Sequence, residues 1–304
     1  MRSGIGRRSA VIKRILEVST PARLSVKHAQ LVIEREDSEP ATVPIEDIGA
    51  LILDHPAITH TQGVLTACAK NNVAILCCDE RHLPGSVLLP MEGSSLQSKT
   101  IALQTSVAEP ARKQLWRAIV QAKIREQAKV LSSIKGNADP LPAYANKVRS
   151  GDPDNIEAQA ARIYWVRLFG EDFRRDPEAS GINALLNYGY AVMRAAVARA
   201  LVGAGLHPSI GLHHHNQYDS FALADDLVEP YRPLVDLRVY EYCRNCSSEP
   251  KVDKESKKSL LDCLAWECQL GERRLPMMVA LHYYTASLRR VLAGSDKTLE
   301  IPSL

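Results

Sequence analysis

The sequence lacks any apolar run long enough to cross a bilayer. Its longest apolar runs, 50-ALIL-53 and 73-VAILCC-78, have the length of strands, whereas a transmembrane helix needs about 20 predominantly apolar residues. The N-terminal MRSGIGRRS is basic but has no apolar segment behind it, so we expect no signal peptide. These absences argue against a membrane protein, and we expect a cytoplasmic chain with no membrane partner.

The chain also lacks a strong excess of charge of either sign. Its 38 basic and 35 acidic residues leave a net charge of +3 over 304 residues. This balance permits a nucleic-acid partner only if the basic residues gather on one face. The length predicts one large or two medium domains.

A disulfide framework is not expected either, because seven is an odd number of cysteines and no export signal is present. Four of them are spaced C-x2-C, sixteen residues, then C-x4-C, close to a structural zinc pattern: Cys243, Cys246, Cys263 and Cys268. The second pair lies in a segment that predicts a helix, where five residues rotate by about 140°. We therefore favour reduced, unpaired thiols and keep a structural zinc site as the alternative.

The first hundred residues have a β-rich pattern. Leu24 and Val26 alternate with polar residues, as do Leu31 and Ile33, and the polar break at 27–30 predicts a hairpin. A helix is predicted at 61–72, between further strands. The first hundred residues therefore predict strands with one helix packed against them.

From about residue 100 the apolar residues recur at intervals of three and four, which predicts helices. After one long helix, further helices are predicted at 156–169, 182–204, 220–232, 256–270 and 275–293. The predicted fold class is α+β, with a small N-terminal β-rich domain over 1–98 and a larger all-helical domain over 99–304.

Glu157 stands at the start of one predicted helix, after 152-DPDN-155. Asp152 can cap this helix with Pro153 as its first residue, which leaves Glu157 free to face a cleft. Alternatively, Asp154 caps it and Glu157 closes a capping box, a purely structural role. Both starts remain open.

The stretch 211-GLHHHNQYDSFALADDLVEP-230 places three histidines before a helix that carries acidic residues. Asp226 and Glu229 are three residues apart and share a face. Asp226 could simply stabilise the helix dipole, whereas Glu229 before Pro230 gains nothing from a helix start. Histidine with carboxylates suits a divalent cation held by nitrogen and oxygen. Three adjacent histidines cannot all point at one ion.

Four motifs, taken together and in order, resemble one family. They are I-E-x-x-A-A-R-x-Y, N-A-L-L-N-Y-G-Y, G-x-H-H-H-N-Q and D-D-L-x-E-P-Y-R-P-x-V-D. This set is similar to Cas1, the CRISPR-associated integrase of spacer acquisition, and to its type II branch. The resemblance covers nearly the whole chain. It implies that residues 1–98 serve dimerisation and partner contact and that 99–304 form a metal-dependent catalytic domain.

The resemblance also implies the site. Carried over by position, the catalytic residues and metal ligands are Glu157, His214 and Glu229, holding Mg²⁺ or Mn²⁺, with Asp226 in a supporting role. Spacing to the acidic pair favours His214, and His213 and His215 remain alternatives.

The implied reaction joins the 3′-hydroxyl ends of short protospacer duplexes to the CRISPR repeat by transesterification. The implied partners are double-stranded DNA, a second copy of the chain, and a Cas2 dimer that completes a heterohexamer-type complex. The candidate phosphate contacts are Arg162, Arg174, Arg175, Arg273, Arg274, Arg289 and Arg290. A metal-dependent endonuclease with the same ligands is the first alternative, and a non-catalytic DNA-binding scaffold stabilised by zinc is the second.

Overall fold

The fold begins with two four-stranded sheets. The structure, a computed structural model, describes residues 13–91, 93–246 and 249–304. The first sheet has the order β1-β5-β7-β8 and the second β4-β3-β2-β6. The strands are β1 Arg14–Val18, β2 Ala22–Lys27, β3 Gln30–Arg35, β4 Ser38–Pro44, β5 Ile48–Leu53, β6 Ile58–His60, β7 Ala74–Cys78 and β8 Pro84–Leu88.

The first sheet is covered on both faces. Strands β1, β5 and β7 are parallel and β8 is antiparallel to β7. Successive side chains of a strand point to opposite faces, so Leu51 and Ile75 pack in the β-domain core whereas Ile52 and Leu76 pack in the helical core. Burial on both faces explains why these strands read as continuous apolar runs.

The predicted hairpin is present in the second sheet, where β2 pairs antiparallel with β3 and Lys27 lies opposite Gln30 at the turn. His28 and Ala29 form its turn with positive φ angles of 50° and 60°. Leu24 and Leu31 from this sheet pack against Val64 of α1, which spans Gln62–Lys70.

Helices dominate the rest of the chain. They are α2 Gln97–Ser106, α3 Glu109–Lys135, α4 Leu141–Lys147, α5 Ile156–Phe169, α6 Ile182–Gly203, α7 Ala222–Val228, α8 Arg232–Cys243, α9 Lys254–Leu261 and α10 Met277–Leu292. Short 3₁₀ turns lie at Glu229–Tyr231 and Asp262–Ala265, and a hairpin pairs β9 Glu267–Leu270 with β10 Arg273–Pro276. Among the described residues, no helix is both long and apolar enough to cross a membrane.

Helix α6 is the centre of the helical region and packs on α7, α8, α9 and α10. Its small residues permit close approach: a Cβ added at Gly189 would overlap the side chain of Val235 on α8. This contact brings α8, and the turn before it, against the centre of the molecule.

Buried polar contacts join the sheets to the helices. Lys257 on α9 donates to Asp54 at the end of β5 and lies 3.6 Å from Glu17 on β1. Arg199 on α6 donates to the carbonyl of Asn72, before β7. Since the first sheet also contributes to both cores, the division at residue 98 stays a prediction about domains.

The α+β fold class is confirmed, but two helix predictions need correction. The helix expected at 256–270 ends at Leu261, and Cys268 and Leu270 are buried alternately with Glu267 and Gln269, which is a strand period. The helix expected at 220–232 stops at Val228, where a 3₁₀ turn containing Pro230 leads into α8. The long helix predicted before 156–169 is present as α3, and a separate helix, α2, precedes it.

Candidate active site

Glu157 lies in the first turn of α5, and Asp152 anchors that turn. The Asp152 carboxylate accepts hydrogen bonds from the backbone N–H groups of Ile156 at 2.9 Å and Glu157 at 3.0 Å. The alternative capping box is wrong, because Asp154 pairs with Arg149 at 2.7 Å. The expectation of Pro153 as first helical residue is also wrong, since the helix starts at Ile156 after Asn155, whose φ is 51°. Glu157 is therefore free of any capping duty.

Glu229 lies in the 3₁₀ turn between α7 and α8 and is buried, with 5% of its surface exposed. Pro230 lacks an N–H and restricts the backbone, which fits the first turn of a helix. The Oε1 atom of Glu229 lies 2.8 Å from Nε of Arg232, one turn later. The sequence therefore holds this carboxylate in the interior by means of a short turn and a neighbouring arginine.

Lys123 on α3 brings the two glutamates together. Its Nζ atom lies 2.5 Å from Oε1 of Glu157 and 2.5 Å from Oε2 of Glu229. The two carboxylate oxygens are thus within about 5 Å of each other, because both contact one nitrogen. Lys123 was not among the predicted site residues. A lysine on a long amphipathic helix is ordinarily solvated, and only the fold turns this one inward.

Asp226 organises the histidine run. Its carboxylate is fully buried and accepts hydrogen bonds from the backbone N–H groups of Leu212 at 2.6 Å, His213 at 3.0 Å and His214 at 3.2 Å. The same carboxylate lies 2.6 Å from Nδ1 of His214. A Cβ added at Gly211 would overlap the carbonyl oxygen of His214. The loop is therefore tightly folded around one carboxylate.

The three histidines consequently have different surroundings. The ring of His213 stacks on the indole of Trp116 from α3, with centroids 4.2 Å apart. His214 is half-buried and held by Asp226, which leaves its Nε2 atom for another partner. His215 is exposed. The structure thus separates the three candidates that the sequence left open.

The electrostatics keep the site charged. Burial alone would raise the pKa of Glu229, but Arg232 and Lys123 outweigh it and the pKa is lowered. Burial would lower the pKa of Lys123, but Glu229 and Glu157 outweigh it and the pKa is raised. The hydrogen bond that His214 donates to Asp226 raises the pKa of His214, against the opposing effect of burial. Glu229 therefore stays ionised beside the charged ammonium of Lys123.

The donor set suits a divalent cation, although the described residues contain no preassembled group of three metal-ligating side chains. The carboxylates of Glu157 and Glu229 both contact the position that Nζ of Lys123 occupies, so a cation there faces two carboxylate oxygens. One of them, Oε2 of Glu229, is buried and makes no hydrogen bond of good geometry. The charge of Glu229 also raises the pKa of His214, so the imidazole lies close enough to interact electrostatically with this carboxylate. Oxygen donors with one imidazole nitrogen are chemically appropriate for Mg²⁺ or Mn²⁺.

Comparison with known proteins identifies the family. The profile of the family described as CRISPR associated protein Cas1 matches residues 16–263. The chain belongs to the Cas1 family. A CRISPR-associated endonuclease Cas1 from Neisseria meningitidis is 36% identical over 294 residues, covering 96% of both chains. The predictions of a Cas1 protein and of an enzyme of the nuclease or integrase kind are confirmed.

Solved structures agree on the fold of this Cas1 chain. A casposase bound to integration product has a TM-score of 0.75 at 20% identity, and the match covers 94% of this chain and 92% of the other. A Cas6-RT-Cas1–Cas2 complex contains a chain with a TM-score of 0.72 at 14% identity. That match covers 95% of this chain and 36% of the longer one.

The arginines predicted to contact DNA differ in how far contacts within the chain already engage them. Arg175 donates to Asn183 and Asn187, and Arg290 pairs with Asp296 at 2.6 Å, so both are engaged within the Cas1 chain. Arg174 donates to the backbone carbonyls of Glu171 and Phe173 but is otherwise exposed. The remaining candidates have no ion pair among the described residues: Arg162, Arg273, Arg274 and Arg289. Arg162 is exposed on α5, the helix that carries Glu157.

The cysteine quartet favours thiols over zinc ligands. All four cysteines are free, and Cys263 and Cys268 are buried. Burial raises the pKa of each of these two thiols to about 12, and that of Cys243 to about 11. Zinc binds the thiolate form, so these surroundings oppose the ligand state.

Proposed function

We propose that this Cas1 chain is a DNA integrase of CRISPR adaptation. It joins the 3′-hydroxyl ends of short protospacer duplexes to the CRISPR repeat by metal-dependent transesterification. The observation that carries the proposal is the convergence of Glu157 and Glu229 on one cation position, beside a histidine whose Nε2 is free. Its 36% identity to the Neisseria meningitidis Cas1 supports the proposal of the type II branch.

In this proposal Glu157, His214 and Glu229 hold Mg²⁺ or Mn²⁺. When bound, a divalent cation lowers the pKa of the attacking hydroxyl and neutralises charge that develops on the phosphate. Asp226 fixes the ring and tautomer of His214, since its carboxylate accepts the Nδ1–H and leaves the Nε2 lone pair exposed. Arg232 contacts the other oxygen of Glu229, Oε1, at 2.8 Å.

The reaction exchanges one phosphodiester bond for another, so it needs no nucleoside triphosphate. The 3′-hydroxyl of the protospacer loses its proton and forms a bond to the phosphorus at the 5′ end of the repeat strand, while the 3′-oxygen of the adjoining nucleotide leaves with the electron pair and takes up a proton. The endonuclease alternative differs only in its nucleophile, which is water. Exposed Arg162 beside Glu157 is a candidate phosphate contact that aligns the strand in either case.

We propose double-stranded DNA, a second copy of the chain and a Cas2 dimer as partners. Two ends of one duplex must be joined to two strands, so two active sites are required. The names of the solved relatives support this proposal: one is bound to an integration product and another is a complex with Cas2.

A strand-transfer assay tests the proposal. The purified chain is incubated with Cas2, Mn²⁺ or Mg²⁺, a labelled short duplex and a plasmid that carries the repeat. We expect covalently joined product with 3′-hydroxyl ends and none with 3′-dideoxy ends, and none with Glu157→Gln. Asp154→Asn is the matched control, because Asp154 lies in the same loop but pairs with Arg149. Plasmid cleavage without any joined product would instead establish the endonuclease alternative.

A further inference from the structure

Lys123 occupies the position where the two catalytic carboxylates meet. Its side chain is 13% exposed, that of Glu157 23% and that of Glu229 7%. The Nζ atom lies 2.5 Å from one oxygen of each carboxylate. Lys123 is thus an internal cation placed between the proposed metal ligands.

An ammonium and a divalent cation cannot share that position. Mg²⁺ ligands lie about 2.1 Å from the ion, and the space between the two carboxylate oxygens already holds Nζ at a similar distance. Two positive charges in a half-buried site would also repel each other strongly. Either Lys123 leaves when the metal enters, or the metal does not bind here.

The surrounding residues make Lys123 the group that moves. Arg232 contacts the other oxygen of Glu229, Oε1, through a planar guanidinium and does not stand between the carboxylates. Lysine has a flexible four-carbon stem and a compact charge. Without either cation the two carboxylates would repel each other, which would destabilise the folded site.

We propose that Lys123 is an exchangeable occupant of the metal position. It stabilises the metal-free site by pairing Glu157 with Glu229, and it competes with the divalent cation for the same oxygens. The proposal rests on the proposed function, because it takes Glu157 and Glu229 as metal ligands. Lys123 is accordingly a positioning residue that sets the affinity of the site for metal.

Mn²⁺ binding in the absence of DNA tests this proposal without using activity. Free Mn²⁺ is titrated by electron paramagnetic resonance against the wild-type chain, Lys123→Met, Lys123→Gln and Lys123→Arg. We expect Lys123→Met and Lys123→Gln to bind Mn²⁺ about tenfold more tightly than the wild type. Lys123→Arg retains the charge and binds no more tightly than the wild type. Thermal unfolding in EDTA is expected to show a lower Tm for both neutral variants, and Mn²⁺ restores it.

Lys129→Met is the matched control. Lys129 lies on the same helix and pairs with a buried glutamate, Glu126, at 2.9 Å, away from the site. We expect this variant to keep the wild-type affinity for Mn²⁺.

The outcomes separate the two proposals. Binding that is lost in Glu157→Gln but unchanged or weakened in the neutral Lys123 variants would overturn the role of Lys123 and leave the proposed function standing. Absence of Mn²⁺ binding in the wild type and in every Lys123 variant would overturn both.

Discussion

The Oδ1 atom of Asp226 lies 2.6 Å from Nδ1 of His214. The same carboxylate accepts three backbone N–H groups from the loop that carries the histidines. Asp226 therefore fixes both the path of the loop and the orientation of one imidazole. This relationship gives the three adjacent histidines three different expected roles.

Substitution of each histidine by alanine checks the assignment of the ligand. We expect His214→Ala to abolish strand joining and Mn²⁺ binding, because it removes the Nε2 atom of the imidazole that Asp226 holds. His213→Ala loses the stacking on Trp116 and an edge contact with the His214 ring, and we expect a modest loss of stability of about 1 kcal/mol with joining retained. His215→Ala leaves both unchanged. An active His214→Ala beside an inactive His213→Ala or His215→Ala would show that the register is wrong.

Asp226→Asn tests the positioning role. The substitution keeps the size of the side chain but replaces an acceptor carboxylate by an amide with a single acceptor oxygen. We expect strand joining to fall about 10- to 100-fold, with the unfolding free energy lower by about 1–3 kcal/mol. Asp225→Asn is the control, because Asp225 contacts Arg194 and Arg232, whereas the backbone of the histidine loop donates to Asp226. Equal effects of the two variants on joining would contradict a specific role for Asp226.

The buried contact of Lys257 with Asp54 predicts an asymmetric effect on stability. Lys257→Met removes the ammonium from the buried Asp54 and from the neighbouring Glu17 and leaves Nδ1 of His82, 2.9 Å from Asp54, as the remaining partner. We expect a loss of about 3–5 kcal/mol of unfolding free energy. Asp54→Asn costs less, because Lys257 still has Glu17 at 3.6 Å. Urea unfolding of both variants measures the difference. A smaller cost for Lys257→Met than for Asp54→Asn would show that the contact does not join sheet and helix as described.

His282 predicts a specific dependence of stability on pH. The pKa of His282 is lowered from 6.5 to about 4, first by burial and then by the charges of Arg199 and Lys13. As the pH falls the unfolded chain therefore takes up this proton before the folded chain does. The contribution of neutral His282 to the free energy of unfolding is fully present above about pH 6.5 and is lost as the pH falls through about 4.

Unfolding by urea between pH 7 and pH 4 measures this dependence. We expect this group to account for up to about 3 kcal/mol of the loss in the wild type. The loss is smaller in His282→Gln, which retains a hydrogen-bond acceptor for Arg199 but cannot titrate. His60→Gln, at an exposed histidine, serves as the control with wild-type behaviour. Identical pH profiles for wild type and His282→Gln would refute the assignment.

The sequence predicts the order of elements well, because apolar periods report which faces are buried. Alternation around Leu24 and Leu31 marks a real hairpin, and the position of Glu229 before Pro230 marks a residue that no cap or dipole accounts for. The hairpin from Glu267 to Pro276 was missed because its apolar residues follow those of α9 without a break, and the change of period spans only four residues.

The site was predicted only in part, and for a physical reason. Glu157, His214 and Glu229 were predicted through the resemblance to the Cas1 family, because by residue type alone Glu157 also fits a capping box. Lys123 was not predicted, since a lysine on a long amphipathic helix is ordinarily solvated, and only the packing of α3 against the turn at Glu229 turns it inward. The choice among three adjacent histidines likewise depends on the loop geometry that Asp226 imposes.

The most direct measurement is the crystal structure of the protein soaked in Mn²⁺, with the ion located by its anomalous scattering. We expect one peak bound by carboxylate oxygens of Glu157 and Glu229 and by Nε2 of His214, with the ammonium of Lys123 displaced from between the carboxylates. A peak bound through His213 or His215, a peak at the cysteine quartet alone, or Lys123 still bridging the two glutamates at saturating Mn²⁺ would contradict it.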